Sequence, residues 1–600
     1  MFKGLKYNYA ALCVCAIACC AWGYVVDLAY FRMMYFSWDL ALYAHLMWNL
    51  CHGHMSTSLF GGNFLIDHFN AIAFLLVPFY YFFQSALTLL YFKLFAFFAG
   101  AYIFYLLASK KLGGFWGLAF MLAYIFYPAN VAYFFFEFNF ENLALPLIFL
   151  LFYCFEEKKF LWFMGICFLL TIVKENMPLV VFMFGVYGLI ARKEDRLRWG
   201  LFPLLLGAGM FLGEVCVFIP WLRHGLGMAN VHLGAYSNLG NTPAEMLRTF
   251  IFNEPKVLKL LFSVHNLSFL LKLFGPLLIV VFMAPRAILI AIPLFLQDLL
   301  SKSSGQQDIN SFYSSTLTVF IFVAVIDFIS RVKDNLRGYL LGIMIVSLLI
   351  FDQWYIPLEF QKLPPVKEQQ VLAQEFISQI PPDAGVYSSY KFLYLLSQRK
   401  DLHVLFLKHK VFSIQQESVP DSVDYMIVDF ANRVDNKDVV RQMLSGGAWV
   451  MQAAADETVL LRKNRARKEA FINEGEKPFS SMALQPAMMA GPSLRMEWVD
   501  IPRVLKHTEG IMPVVFYWKA LNDDKNDGAQ SLFLNISQGT QSFYLKNRLP
   551  LYGLPVKKGE YYKETFYYFI SRLIPGDYEV SINPLPADIH QSIRMHLSVR

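Results

Sequence analysis

Residues 87–108, LTLLYFKLFAFFAGAYIFYLLA, decide the fold class, because this stretch of 22 residues holds a single charged side chain, Lys93. An apolar helix of about 20 residues is long enough to cross the hydrocarbon core of a bilayer. Lys110 and Lys111 follow the stretch, and basic residues collect at the cytoplasmic ends of spanning helices. The stretch therefore predicts a transmembrane helix.

The composition of the whole chain agrees with a membrane protein. Of its 600 residues 57% are hydrophobic and 16% are charged, whereas a soluble protein carries roughly a quarter charged residues. The long apolar runs end near residue 358, and residues 360–600 read as a soluble sequence. The formal net charge is +7, and the basic residues behind it are distributed as expected for the two sides of a membrane. We therefore expect a lipid bilayer and no nucleic acid as partner.

The hydropathy pattern predicts eleven spans in an α-helical polytopic domain. Several of their apolar cores are short for a bilayer of roughly 30 Å. The predicted spans lie at about 9–28, 87–108, 114–130, 142–155, 160–173, 177–191, 199–221, 267–284, 287–300, 313–330 and 338–356.

Residues 69–83, FNAIAFLLVPFYYFF, are apolar enough to span but are short and contain Pro78. If this segment is a re-entrant or juxtamembrane helix at the outer surface, the positive-inside rule holds for the other spans. We therefore predict a cytoplasmic N-terminus and an external C-terminal domain. The cytoplasmic segments then carry these basic residues: Lys3, Lys6, Lys110, Lys111, Lys158, Lys159, Arg192, Lys193, Arg196, Arg198, Arg286, Arg331, Lys333 and Arg337.

Under this topology the polar residues set among apolar ones all fall on the outer face. Acidic residues at membrane depth are costly and persist mainly where they face protein or water. Three separate turns that meet on one face therefore predict one outward-facing polar cavity. The first loop contributes Trp38, Asp39, His45, Trp48, Asn49, His52, His54, Asp67 and His68, the second turn Glu137, Asn139 and Glu141, and the third Lys174, Glu175 and Asn176.

Each acidic candidate also has a structural alternative that the sequence leaves open. Asp39 could cap the helix that begins near Leu40. Glu137 and Glu141 could be solvated at the interface, and Lys174 could form a local ion pair with its neighbour Glu175.

Three further sets of polar residues favour structural roles. Glu214 lies inside a span and is expected to pair with a neighbouring helix. Lys93 and Lys272 can extend to the interface. His52 and His54 resemble a metal pair but lack a third ligand in the sequence, so solvated histidines are the expectation.

The motifs of the outer face resemble those of a large family of bacterial membrane proteins that is catalogued as a domain of unknown function. The resemblance covers about residues 35–430 and is most specific in the first loop. The motifs are WDLALYAHLMWNLCHGHMSTSLFGGNFLIDHFNAI from Trp38, FEFNFENLALP from Phe136, KENMPL from Lys174, YSNLGNTPAEML from Tyr236 and SFYSSTL from Ser311.

That family is similar to the GT-C glycosyltransferases, which move sugars from polyprenyl-phosphate carriers and have an acidic residue in the first external loop. The resemblance implies that Asp39 is the catalytic carboxylate and that Arg32 or Lys174 stabilises the leaving phosphate. Glu137, Glu141 and Glu175 would bind sugar hydroxyls, position the acceptor or hold a divalent cation. The remaining expected substrate contacts are Trp48, Asn49, Asp67, His68, Asn139 and Tyr313.

Three positions depart from the family pattern. Asn139 stands where a His is usual, Asn176 where an Asp is usual, and Phe312 replaces the His of a His-Tyr pair. The two missing histidines argue against a mechanism that depends on a histidine base or on a metal held by histidines.

The sequence divides into a transmembrane GT-C-like domain at 1–358, an external α/β domain at 359–462, a linker at 463–494 and an external β-sandwich at 495–600. Period-two stretches such as VVFYWKAL and DYEVSIN, separated by turns, predict the sandwich. The expected location is the bacterial inner membrane, with the C-terminal part in the periplasm.

Two functions follow from these expectations. The first is transfer of a sugar from a polyprenyl-phosphate carrier to a glycan, lipid or protein acceptor at the outer face. The alternative is a non-catalytic transporter or scaffold of envelope assembly that uses the same cavity for binding. A transporter is expected to contain inverted repeats, and no convincing internal repeat is present.

Overall fold

The structure is a computed structural model, and it forms two compact units. One contains residues 1–30, 37–362 and 409–413, and the other contains 31–36, 363–408 and 414–600. Within residues 2–600 the structure describes all but 36–37, 224–230, 278–279, 352–373, 405–418, 430–448, 456–457, 464–487, 491, 506–510, 524–531, 540, 545–557, 560, 571–572 and 585–592.

The first unit is built of helices, as the apolar runs predict. Its helices are α1 (Phe2–Phe31), α2 (Asp39–Cys51), α3 (Ala73–Phe82), α4 (Ala86–Leu112), α5 (Gly114–Ile125), α6 (Pro128–Phe135), α7 (Ala144–Glu156), α8 (Phe160–Thr171), α9 (Met177–Ala191), α10 (Phe202–Leu212), α11 (Ile219–Arg223), α12 (Pro243–Phe252), α13 (Glu254–Leu261), α14 (Val264–Phe274), α15 (Arg286–Leu300), α16 (Tyr313–Ile329) and α17 (Asp334–Phe351).

Among the described residues, three helices are long and apolar enough to cross a membrane: Lys6–Phe31, Ala86–Leu112 and Leu197–Arg223. The third is continuous because one π-helical turn precedes α10 and a second joins α10 to α11. Two bent pairs, α5 with α6 and α13 with α14, raise this number to five if each pair is one span. Helices also occupy the other predicted spans, but the predicted total of eleven spans is not confirmed.

Helix α3 lies within residues 69–83, the segment that is predicted to lie at the outer surface and not to span the membrane. It has 10 residues and exposes apolar side chains, with Phe79 63% and Phe82 77% exposed. Tyr80 on its other side is fully buried and donates a hydrogen bond of 3.3 Å to the carbonyl oxygen of Ala44 in α2. The segment is therefore a short apolar helix fixed to α2, while its position in a bilayer stays a prediction.

The second unit is rich in strands, which confirms the strand-rich C-terminal part. In its described residues, nine strands form one sheet, and five form another. In spatial order the first sheet contains Leu402–Val404, Gly385–Ser388, Val423–Asp429, Thr458–Lys463, Trp449–Ala455, Tyr561–Phe569, Ile511–Ala520, Leu494–Asp500 and Met488–Met489, and the second contains Val504–Leu505, Ile593–Val599, Gly576–Pro584, Leu532–Gln538 and Gln541–Tyr544.

One hydrophobic core joins these two sheets. Phe516 and Trp518 of the larger sheet share it with Ile536 and Val580 of the smaller one. The sequence assigns residues 359–462 and 495–600 to separate domains, whereas strands from both ranges lie in the same sheet. The stretch DVVRQML at 438–444 has a pattern that predicts a helix, and the Pro-containing stretch at 549–553 predicts a turn. Both lie outside the described residues.

Candidate functional site

Helix α2 begins at Asp39, and its cap comes from a distant turn. Trp38 occupies the cap position but makes no side-chain capping bond. Instead, Glu137 Oε2 accepts a hydrogen bond of 2.7 Å from the backbone N–H of Leu40. A carboxylate at a helix N-terminus satisfies a free N–H group and interacts favourably with the helix dipole. Asp39 is thus the first residue of the helix rather than its cap, and its carboxylate is left for other contacts.

A buried lysine supports the turn that carries Glu137. Lys93 of α4 is fully buried, and its Nζ donates to the carbonyl oxygens of Tyr133, Phe134 and Phe136 at 3.2, 3.2 and 2.6 Å. These carbonyls belong to the C-terminal end of α6, where a cation is favourable. The alternative that Lys93 extends to the interface is therefore wrong, because the side chain is a buried cap for α6.

The residues after Glu137 form a tight 3₁₀ turn, Phe140–Leu143, with reciprocal caps at its start. Asn139 Oδ1 accepts from the N–H of Glu141 at 3.1 Å, and Asn142 Oδ1 accepts from the N–H of Asn139 at 2.8 Å. Asn139 Nδ2 also donates to the hydroxyl of Tyr43 in α2 at 3.3 Å. The Asn that replaces the usual family His therefore has a structural use, since it fixes the turn and ties it to α2.

Lys174 forms its ion pair with Glu141 and not with its neighbour in the chain. Lys174 Nζ lies 2.8 Å from Glu141 Oε2, and the two side chains are 6% and 5% exposed. Thr316 Oγ1 of α16 donates to Glu141 Oε1 at 3.3 Å. The aromatic ring of Tyr313 lies 5.7 Å from Lys174 Nζ, a cation–π distance. The alternative of a solvated Glu141 is wrong, because this carboxylate is buried and neutralised.

Glu175 turns the other way and binds the first loop. Its Oε1 lies 2.6 Å from His68 Nδ1, and its Oε2 accepts from the N–H of Phe69 at 3.0 Å. Burial opposes ionisation of both side chains, but their mutual attraction outweighs it. The pKa of Glu175 is consequently lowered below its usual range, and the pKa of His68 is raised. The contact therefore favours the charged forms of both side chains, and it joins the loop before α3 to the turn between α8 and α9.

Asp39 lies within electrostatic range of these two ion pairs. Burial raises the pKa of its carboxyl above the usual range, and the nearby Asp67 carboxylate raises it further. His68 and Lys174 act in the opposite direction, as does a hydrogen bond from Asn139. Asp39 as a residue is partly exposed. The arrangement supplies, on a partly exposed residue, a carboxylate with an enhanced affinity for a proton, surrounded by fixed charges.

The model of the family described as Predicted membrane protein (DUF2079) matches residues 29–460. The chain belongs to this family. Its long apolar helices agree with that description, so the chain is a membrane protein. No curated protein matches the chain. Five chains of solved structures match, among them ArnT from Cupriavidus metallidurans bound to undecaprenyl phosphate, at 11% identity and a TM-score of 0.47, covering 75% of this chain and 98% of that chain.

In this DUF2079 chain, two residues of the first-loop motif have their contacts away from Asp39 and the two ion pairs. Trp48 stacks on the ring of His52, with centroids 4.0 Å apart. Asn49 is 2% exposed, and its Nδ2 donates to the carbonyl of His45 at 3.0 Å. Both lie near the C-terminal end of α2, about 14 Å along the helix from Asp39. Their binding of substrate stays a prediction, as does that of Arg32, which belongs to the second unit.

The structure adds two residues that the sequence analysis did not select. Arg223, at the end of α11, donates through Nε to the carbonyl of Ile66 at 2.8 Å and lies within electrostatic range of Asp67 and Glu175. Asp298 of α15 is 4% exposed and is coupled electrostatically to Glu141 and Lys174. A charge near the end of an apolar helix was the available signal for both.

The three glutamates expected to hold a cation are already engaged. Glu137 binds the N-terminus of α2, Glu141 binds Lys174, and Glu175 binds His68. In the part of the chain that the structure describes, no three His, Cys, Asp or Glu side chains are placed to hold a metal. Because these carboxylates already bind other groups, the glutamates do not fit a cation site. Glu214 is buried, and no described residue is hydrogen-bonded to its carboxylate.

Proposed function

We propose that this protein transfers a sugar from a polyprenyl-phosphate carrier to an acceptor glycan, lipid or protein at the outer face of the bacterial inner membrane. The observation that carries the proposal is the position of Asp39, a partly exposed residue at a capped helix start, within electrostatic range of the Lys174–Glu141 and His68–Glu175 ion pairs. The family motifs around Asp39, and their resemblance to the GT-C glycosyltransferases, support the same reaction class. The proposal includes a GT-C-like architecture of about eleven spans.

In the proposed reaction, the hydroxyl oxygen of the acceptor attacks the anomeric carbon of the sugar. The bond between that carbon and the phosphate oxygen breaks, and polyprenyl phosphate leaves with the electron pair. Asp39 accepts the proton of the attacking hydroxyl, as a general base. Lys174 and Arg223 supply positive charge near the leaving phosphate, which favours the departure of an anion.

The fixed ion pairs suit this reaction because they hold charge without solvent reorganisation. A lysine paired to a buried glutamate stays in one position, and its field acts where phosphate charge develops. The ring of Tyr313 lies 5.7 Å from Lys174 Nζ, and this neighbourhood supports a contact between Tyr313 and the sugar in the proposed reaction. Asn139 and Asp67 act on Asp39 itself, through a hydrogen bond and through charge.

The test is to incubate the purified protein in liposomes with undecaprenyl-phosphate-linked sugars and bacterial envelope extracts. Mass spectrometry then measures free undecaprenyl phosphate and glycosylated acceptors. The proposal expects both products from the wild type and from Asp383→Asn, a variant of an exposed aspartate, and neither product from Asp39→Asn. Movement of intact donor across the liposome membrane without cleavage would instead establish the transporter alternative.

A further inference from the structure

An open groove lies at the end of α8 opposite the candidate site. It has a volume of about 590 Å³ and is lined by Lys159, Phe160, Leu161, Trp162 and Arg198. Lys159 precedes the first residue of α8, whereas Lys174 follows its end. The 12 residues of α8 separate the two places by on the order of 18 Å. The distribution of basic residues predicts that the groove lies on the cytoplasmic side.

A packed aromatic cluster adjoins the groove through Phe160, one of its lining residues. The ring of Trp199, which is 5% exposed, packs on the rings of Phe155, Phe160 and Phe163 at 5.3, 5.5 and 5.3 Å. Arg192 lies 4.7 Å from the ring of Phe155 and 5.4 Å from the ring of Trp199. These contacts hold the connection between α9 and the next helix against the start of α8.

Close backbone packing fixes the wall that carries Arg198. A Cβ atom on Gly188 of α9 would lie 1.7 Å from the carbonyl oxygen of Trp199, so only glycine fits there. Arg198 and Trp199 belong to the π-helical turn Leu197–Leu201. Such turns are rare and are frequent at functional sites. The groove is thus a built feature of the fold.

Lys159 and Arg198 give the groove positive charge, and the nearby Glu156 and Glu157 pair with cations outside the groove. Glu157 pairs with Lys110, and Glu156 pairs with Lys111 and Arg286. Asp195 lies 4.0 Å from Arg198 with both side chains largely exposed, which is a weak surface pair. Beside the two lining cations, Leu161 and Trp162 are 84% and 72% exposed.

We propose that this groove binds the headgroup of an anionic phospholipid. Lys159 and Arg198 match a phosphate-bearing headgroup with net negative charge, and Arg can bind a phosphate through two N–H groups. Leu161 and Trp162 present the apolar surface that acyl chains require, and tryptophan is favoured at the headgroup level. Basic pockets between helices at the cytoplasmic side are known to bind anionic headgroups. A zwitterionic lipid lacks the net charge that the two cations select.

The experiment compares two double variants of the full-length protein by native mass spectrometry after exchange into mixed phosphatidylglycerol and phosphatidylcholine nanodiscs. One variant is Lys159→Gln with Arg198→Gln in the groove. The other, Lys193→Gln with Arg196→Gln, removes the same charge from exposed residues of the neighbouring connection. We expect the groove variant to retain about one phosphatidylglycerol fewer than the wild type, and the control variant to retain the wild-type number.

Three outcomes would overturn the proposal. They are an equal loss of lipid in both double variants, no loss in either, and equal retention of phosphatidylcholine and phosphatidylglycerol by the wild type. The first would show diffuse attraction between basic residues and the membrane. Melting temperatures of both variants, measured in the same detergent, distinguish loss of the site from loss of the fold. A variant that unfolds is replaced by Arg198→Gln alone, for which the same lipid count decides.

Discussion

Glu137 Oε2 accepts a hydrogen bond of 2.7 Å from the backbone N–H of Leu40, a residue 97 positions earlier in the chain. This bond caps the helix that carries Asp39, while Lys93 holds the turn on which Glu137 stands. The position of the proposed base is therefore fixed by the polar turn after α6. The following predictions test that dependence and the charges around it.

Removing the side chain of Glu137, which caps α2 from a distant part of the sequence, should destabilise the protein. We expect Glu137→Ala to lower the free energy of unfolding by about 1–2 kcal/mol, because the first turn of α2 loses its side-chain acceptor. Glu137→Gln retains a carbonyl oxygen at the same position and should cost less. Unfolding in detergent, followed by circular dichroism, measures both values. Glu194→Gln at an exposed position is the control, and a loss for it equal to that of Glu137→Ala would contradict the assignment.

Lys93 and Lys272, which the sequence predicts to extend alike to the interface, should differ in their contribution to stability. Lys93→Met removes a buried donor to three carbonyl oxygens, so we expect a lower melting temperature and weaker positioning of the Glu137 turn. Lys272 is exposed, and Lys272→Met should leave the free energy of unfolding within about 0.5 kcal/mol of the wild-type value, with little change in melting temperature. Thermal unfolding of the two variants in one detergent makes the comparison. Equal effects would argue against a buried role for Lys93.

The Lys174–Glu141 pair should show strong coupling in a double-mutant cycle. Lys174→Met leaves the Glu141 carboxylate buried without its partner, which costs about 3–5 kcal/mol. The double variant Lys174→Met with Glu141→Leu removes both charges and should be destabilised by less than the sum of the single changes. Chemical unfolding of the four proteins gives the coupling energy. A coupling energy near zero would mean that the two charges do not interact in the folded protein.

The His68–Glu175 pair makes stability depend on pH in a defined direction. The raised pKa of His68 gives stability that is complete below its unfolded value of about 6.5 and is lost as pH rises through the folded value. The lowered pKa of Glu175 gives stability that is complete above about 4.3 and is lost as pH falls. The wild type should therefore exceed His68→Gln in melting temperature most clearly between about pH 5 and 6.5.

That advantage should shrink as the pH rises through the raised pKa of His68, where the imidazole loses its proton. Asp67 and Lys174 also affect the pKa of His68, so both residues stay unchanged in the two proteins that are compared at each pH. A difference in melting temperature that stays constant from pH 5 to 9 would show that His68 is not charged in the folded protein.

The sequence predicts helices well in the first unit because lipid exposure requires long apolar runs. It also predicts that the three polar turns share one face, and the structure couples Asp39 electrostatically to His68 and Lys174. It does not predict which charges pair. Lys174 and Glu175 are neighbours, yet their side chains leave the turn in different directions and bind Glu141 and His68. Partner choice depends on those directions, which hydropathy does not contain.

Sheet pairing in the second unit shows the same limit. Alternating patterns locate the strands Ile511–Ala520 and Tyr561–Phe569, which pair with each other as antiparallel neighbours. They do not reveal that Phe566 lies opposite Ala454 of an earlier strand, in parallel orientation. That contact brings together residues over a hundred positions apart, and no local propensity specifies it.

Donor turnover by Asp39→Asn across a range of pH shows whether Asp39 accepts the proton of the acceptor hydroxyl. We predict a rate at least about 100-fold below that of the wild type, with donor binding retained. The wild-type rate should rise with pH through the raised pKa of Asp39, above the value of about 3.9 for a free aspartate, and Asp39→Asn should lack that rise. Equal turnover by the two proteins would remove Asp39 from the chemistry.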